Sequence, residues 1–208
     1  MVGRILSKLK REGRLLPPTL KDPCITSRPQ IRPYAVRKPK DYLVQAPGDL
    51  VQVDTADVRY DGSARIYKHF GARDFVGRWD VLDVHRNATA RNAADFLDVI
   101  QARMPFAVRA IQVDGGSEFR AEFEAACEQR GLKLFVLPPR SPKLNGRVER
   151  SNRTHKEEFY QLLDPPDSIA EMRAQLLKQE QRYNTYRPHQ ALGYLTPQAW
   201  LLAFAERG

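Results

Sequence analysis

With 208 residues, 34 Lys or Arg against 25 Asp or Glu, and 42% hydrophobic residues, the chain carries a formal charge of +9. That length fits one domain of roughly 150 residues with appendages, and no apolar run approaches the ~18 residues that cross a bilayer, so no membrane span is expected. The basic excess points to a polyanionic partner such as nucleic acid, and it is uneven: residues 1–48 hold 11 basic and 3 acidic side chains, the remainder 23 and 22.

The first element in chain order is a short amphipathic helix over 2–11, with Val2, Ile5, Leu6 and Leu9 spaced i, i+3, i+4 and i+7. Arg4, Lys8, Lys10 and Arg11 interrupt its apolar positions, so it is no signal-peptide core, and a cytoplasmic location is expected. Seven prolines between 17 and 48 remove backbone donors and fix φ, predicting an extended basic linker over 17–47 and a folded core over 48–205. Three strand-like stretches open the core, LVQVDTADV (50–58), ARIYKHFG (64–71) and GRWDVLDV (77–84), which predict a hairpin-connected sheet. A helix over 89–103 follows, capped by Thr89, burying Ala93, Ala94, Leu97 and Ile100 and closed by Pro105. Residues 107–113 (AVRAIQV) are the fourth strand, 119–130 a helix stopped at Gly131, and KLFVLP (133–138) the fifth strand. Beyond the PPRSP break lie a basic helix over 146–163, and another from Ser168 with Glu171 in a capping box and Ile169, Met172, Leu176 and Tyr183 as its stripe. A last short helix is capped by Thr196 with Pro197 at its first position. This order predicts an α/β fold, a mixed five-stranded sheet flanked by helices. Cys24 and Cys127 are widely separated, fit no zinc pattern and are expected as reduced thiols.

Three acids carry chemical interest. Asp54 interrupts the apolar strand VQVD, where a lone carboxylate must be paired, protonated or metal-bound. Asp114 ends AIQVD ahead of Gly115 and Gly116, at the kind of strand end where open α/β sheets place ligands. Glu149 is the single acid among Arg140, Lys143, Arg147, Arg150, Arg153 and Lys156. Taken singly, each reads as an ordinary turn or surface residue, and Glu149 as the i, i+4 partner of Arg153. Taken together, two strand carboxylates and one helical carboxylate suit Mg²⁺, with Mn²⁺ as substitute, and two such ions would serve in-line displacement at phosphorus. Arg153 and Lys156, one and two turns after Glu149, would then grip flanking phosphates.

The motifs VQVDTADV, IQVDGGSEF, PPRSPKLNGRVERSNRTHKEEF and YNTYRPHQALGYLTP, over about residues 34–202, resemble the DDE transposases of bacterial insertion sequences, which are related to retroviral integrases. The resemblance implies a ribonuclease H-like fold in which Asp54, Asp114 and Glu149 are catalytic metal ligands for DNA cleavage and strand transfer without a nucleotide cofactor. DNA, as element end and target, is the implied partner, held by a homo-oligomer. Asn145, Arg153 and Lys156 match positions that contact the element end, and Lys143, Arg147 and Arg150 extend that basic surface. Glu118 matches the acid of the family's SEF motif and is implied to play a supporting role. The opening helix over 1–16 resembles the end of a helix-turn-helix, which implies a fragment. Two departures stand out: 34 residues separate Asp114 from Glu149 where relatives usually have 35, and Gly115 replaces a common asparagine. The rival expectations are a domesticated, inactive DNA-binding module and a ribonuclease H-like nuclease.

Overall fold

Alternating apolar and polar positions fold as the five expected strands. The computed structural model describes Glu12 and residues 32–59, 66–138, 146–164 and 166–207. The strands are β1 (Val51–Arg59), β2 (Ile66–Asp74), β3 (Asp80–His85), β4 (Ala110–Val113) and β5 (Lys133–Val136). They form one mixed sheet in the order β3-β2-β1-β4-β5. The first three pair antiparallel, while β4 runs parallel to both β1 and β5. The expected helix over 2–11, the linker up to residue 31, and Cys24 lie outside the described residues. Among the described residues no helix is long and apolar enough to cross a membrane.

The helices are α1 (Ala90–Arg103), α2 (Glu122–Gln129), α3 (Gly146–Glu158), α4 (Ile169–Tyr186) and α5 (Pro197–Ala205). Local sequence sets their ends. Thr89, Ser168 and Thr196 each accept a backbone N–H of the following first turn, supplying partners that helix starts otherwise lack. Glu171 reaches back to the backbone N–H of Asp167 rather than that of Ser168, so the capping box closes one residue early. Gly131 takes the left-handed conformation expected after α2, with φ of 65°.

Three elements differ from the sequence expectation, each because a side chain is claimed by the tertiary core. The helix expected over 119–130 is interrupted between a short 3-10 turn (Ser117–Phe119) and α2. The break leaves Phe119 and Phe123 both buried and packed edge to face, 5.2 Å apart. In α1, Phe96 rather than Ala94 joins the buried set. The basic helix ends at Glu158 instead of 163, and a 3-10 turn (Tyr160–Leu162) turns Tyr160 inward to meet His69 at 2.9 Å.

The two sheet faces differ in chemistry. Val51, Val53, Phe70, Ala72, Val81, Ile111 and Val113 pack with α1 and α2 into the main apolar core. The opposite face is covered by α3 and α4. There the cross-strand register aligns Gln112, Gln52, Arg73 and Asp80 in one row and Asp54 with Gly71 and Leu82 in the next.

The compact unit begins at Arg32, ahead of the Gly48 boundary expected from the prolines. Val36 makes a parallel bridge beside β5, and Glu124 accepts the backbone N–H groups of Tyr34 and Ala35. Extended chain without its own hydrogen bonds is thus satisfied by the edge of the domain.

Candidate active site

Asp54 lies mid-strand in β1, half-buried on the face beneath α3. Val51 pairs with Ile111 and Gln52 with Gln112. That pairing stops two residues short of both Asp54 and Asp114, which occupy corresponding positions just beyond the paired segment. Asp114 is exposed just past the C-terminal end of β4, and its Oδ1 accepts the N–H of Gly116 at 2.8 Å.

Glu149 sits in the first turn of α3, where the helix dipole favours an acid. Its Arg153 partner of the bland reading is engaged elsewhere: Arg153 pairs with Glu157 at 2.8 Å, which leaves Glu149 with no ion pair among the described residues. Burial, then the charges of Asp114 and Glu149, push the Asp54 carboxyl up to about 6, against the pull of hydrogen bonds from the Thr55 backbone and Asn152.

The sequence did not mark Asn152, one turn after Glu149, whose Nδ2 donates to Asp54 Oδ2 at 2.9 Å. This contact depends on Gly71, the cross-strand partner of Asp54, since a Cβ there would stand 2.6 Å from Asn152 Oδ1. A glycine within a strand, with polar His69 and Arg73 two positions to either side, was the available signal, but only the register tells what it faces. Glu118 accepts the Thr55 hydroxyl at 2.6 Å. A Cβ on Gly116 would meet Glu118 Oε2 at 2.7 Å and Asp114 Oδ1 at 2.9 Å, so this acid lies beside the aspartates.

The α3 helix is fixed to the sheet by a buried polar network that the sequence reading also missed. The Ser151 hydroxyl donates to Asp80 Oδ2, and His155 Nε2 lies 3.0 Å from the same oxygen. Arg73 pairs with Asp80 Oδ1 at 3.5 Å and donates to the Tyr183 hydroxyl at 2.8 Å. Burial alone would raise the Asp80 pKa, but Arg73, His155 and Ser151 together hold it below the usual carboxylate range.

The basic residues divide by helix face. At ~100° per residue, Lys156 follows Glu149, whereas Arg150 lies about a quarter-turn round α3 and Arg147 on the far side. Lys156 and Arg153 are exposed. Arg147 stacks over the Phe75 ring, 3.3 Å from its centroid, and donates to the Phe75 carbonyl. Lys143 and Asn145 lie outside the described residues. Among the described residues, no three His, Cys, Asp or Glu side chains stand close enough together to hold a metal ion as placed.

Residues 130–197 match the family model described as Integrase core domain. The InsD protein of insertion element IS2E from Escherichia coli strain K12 is 33% identical over 89 residues, 42% of this chain and 40% of that protein. Transposase InsD for insertion element IS2A/D/F/H/I/K of Escherichia coli is equally identical over 89 residues, 29% of its length. The chain thus spans well under half of these relatives.

Among solved structures, the simian T-cell lymphotropic virus intasome in complex with PP2A regulatory subunit B56 gamma contains a chain of similar fold. It has a TM-score of 0.61 and 20% identity over 78% of this chain and 56% of that one. The HTLV-2 integrase catalytic core domain in complex with magnesium (trimeric form) gives a TM-score of 0.58 and 19% identity, over 74% of this chain and 95% of that one. Residues 130–197 thus resemble an integrase core domain in sequence, and the five-stranded sheet with its helices has the fold of these integrase catalytic cores.

Proposed function

We propose that the chain is the catalytic core of a metal-dependent polynucleotidyl transferase that cleaves and joins DNA phosphodiesters in transposition. The observation that carries this reading is electrostatic: Asp114, just past the end of the strand beside β1, and Glu149, distant in sequence, both add to the rise in Asp54's proton affinity. Clustered carboxylates without a partner repel, and their oxygen donors suit a hard divalent cation. The fit is one of donor chemistry and charge. Mg²⁺, or Mn²⁺ in its place, as one or two ions held by Asp54, Asp114 and Glu149, would neutralise that charge and polarise the oxygens exchanged at phosphorus.

The chain's own groups prepare the site. Asn152 donates to one oxygen of Asp54 and so fixes its carboxylate plane. Glu118 restrains the following residue through the Thr55 hydroxyl. Arg153 and Lys156, exposed on α3, are placed to meet phosphates flanking the reacting bond. DNA ends and target are the proposed partners, and a multimer on DNA accords with the intasome and trimeric integrase among the structural neighbours. A cytoplasmic setting, in contact with DNA, accords with the bacterial relatives.

Glu149→Gln tests the proposal by removing one negative ligand at nearly constant shape. In a Mg²⁺-dependent cleavage and strand-transfer assay the variant is expected to lose activity while DNA affinity stays within a few-fold of the parent. Undiminished activity would overturn the assignment.

A further inference from the structure

Beside α3, turned away from Glu149 by about a quarter-turn at Arg150 and nearly half a turn at Arg147, lies a cleft of about 880 Å³ whose lining includes Arg73, Arg78, Arg147, Arg150, Arg187 and His189, with no carboxylate among the described lining residues. Two of these charges are neutralised elsewhere: Arg73 by Asp80, and Arg187 by Glu158 in a two-pronged pair at 2.7 and 2.9 Å. The other three arginines have no ion pair with a carboxylate among the described residues. Arg147 is spread over the Phe75 ring, which steadies its guanidinium without cancelling its charge.

Arg78 stands out by its backbone as well as its charge. It adopts a φ of 60°, a conformation that costs a non-glycine residue of order 1 kcal/mol and persists only where surroundings impose it. The preceding Asp74 holds the turn that carries it. Its Oδ2 accepts the backbone N–H groups of Val76 and Gly77, and its Oδ1 that of Gly48. The carboxylate therefore holds the turn while Arg78 lines the cleft with its Nε buried and unpartnered. Burial, and then the charges of Arg147 and Arg73, lower the Arg78 pKa to about 10, still protonated at neutral pH.

His189, from the YRPHQALG tail, supplies an independent pointer to a ligand. It is 9% exposed, lines the cleft, and its Nε2 has no hydrogen-bond partner. An anion with several acceptor oxygens would satisfy His189, Arg78 and Arg150 together, and guanidinium forks match phosphate geometry.

We propose that this cleft is a second phosphate site, which takes the sugar–phosphate backbone of a DNA strand lying across the N-terminal turn of α3. Gly146, the first residue of α3, is part of the lining, so a strand held there passes within one helix width, ~10 Å, of the carboxylates. The inference rests on DNA being the substrate, and it assigns Arg147 and Arg150 to a different phosphate from the one gripped by Arg153 and Lys156.

The test is fluorescence anisotropy of the full chain with a short labelled duplex across a salt series. The variants are Arg150→Gln, Arg150→Lys and the double substitution Arg78→Gln/Arg150→Gln, with Arg91→Gln, exposed on α1, as control. The double variant is expected to bind about ten-fold more weakly. Its slope of log affinity against log salt should fall by about 2, one for each lost phosphate contact. Arg150→Lys should stay within a few-fold of the parent.

A double variant that binds like the Arg91→Gln control overturns the cleft alone, provided the parent chain binds DNA and transfers strands. A parent chain that binds no DNA overturns the underlying functional reading with it. Should the double variant melt far below the parent, Arg150→Gln carries the test, since its side chain is exposed and a salt slope unchanged from the parent overturns the proposal. Inorganic pyrophosphate is the competing probe. A thermal shift with pyrophosphate that vanishes in the double variant, at unaltered DNA affinity, would overturn the DNA occupant in favour of a free phosphate compound.

Discussion

Asp54 reaches α3 through a residue that carries no side chain at all. Gly71 leaves room for Asn152 to lie over β2 and donate to Asp54, and a methyl group there would fall 2.6 Å from Asn152 Oδ1. Overpacking of this kind costs about 1–3 kcal/mol. Gly71→Ala is therefore expected to lower stability by that amount and to depress strand transfer. Combining it with Asn152→Ala should recover part of the stability but none of the activity, because the clash is removed together with the hydrogen bond. Simple additivity of the two substitutions in a double-mutant cycle of thermal unfolding would contradict this coupling.

At the scale of elements, α3 is positioned by polar contacts to β3 rather than by an apolar stripe. Val148 is its one buried apolar side chain, while Ser151 and His155 converge on Asp80. Asp80 also balances the buried Arg73. Asp80→Asn keeps the shape but leaves that guanidinium uncompensated, and breaking a buried pair in this way costs about 3–5 kcal/mol. Urea unfolding is the measurement, and a loss below about 1 kcal/mol would show that α3 is held by something else.

The α4 helix completes the same edge of the sheet. Asn184 accepts from and donates to the Asp80 backbone, Glu180 accepts the Leu82 N–H at 2.7 Å, and Arg173 donates to the Val84 carbonyl at 3.1 Å. Side chains thereby satisfy the outward backbone groups of an edge strand that would otherwise be a template for another chain. This is why the predicted stripe of Met172, Leu176 and Tyr183 is continued by buried Gln179, Glu180 and Asn184.

For the whole molecule, an apolar core on one sheet face and a polar network on the other make stability depend on pH. Burial, partly offset by the Leu82 N–H and Arg103, pushes Glu180 up to about 7. A raised carboxyl contributes stability that is complete below its unfolded value, near 4.5, and is lost as pH rises through about 7. Buried His69 and His189 oppose it. Burial lowers them to about 3 and about 4, so their contribution is present above the unfolded value of 6.5 and is lost as pH falls.

Glu180→Gln removes only the first of these effects. The variant is expected to gain on the parent between pH 5 and pH 8, by on the order of 3 kcal/mol at most. Parallel stability profiles for parent and variant would mean that Glu180 titrates in the fold as it does unfolded.

What the sequence determined by itself is what neighbouring residues decide. Strand order, the Thr89, Ser168 and Thr196 caps and the Gly131 stop came from contacts within a few positions, and they appear in the structure where expected. The motifs around Asp54, Asp114 and Glu149 also named the three acids. Only the tertiary structure set α3 against β1 and β3, because the Asn152–Asp54 and Ser151–Asp80 contacts join residues 98 and 71 positions apart. Arg78 joins the same cleft as His189 for the same reason. Register and helix docking, which no local propensity encodes, determine which polar side chains share a site and which charge is left without a partner.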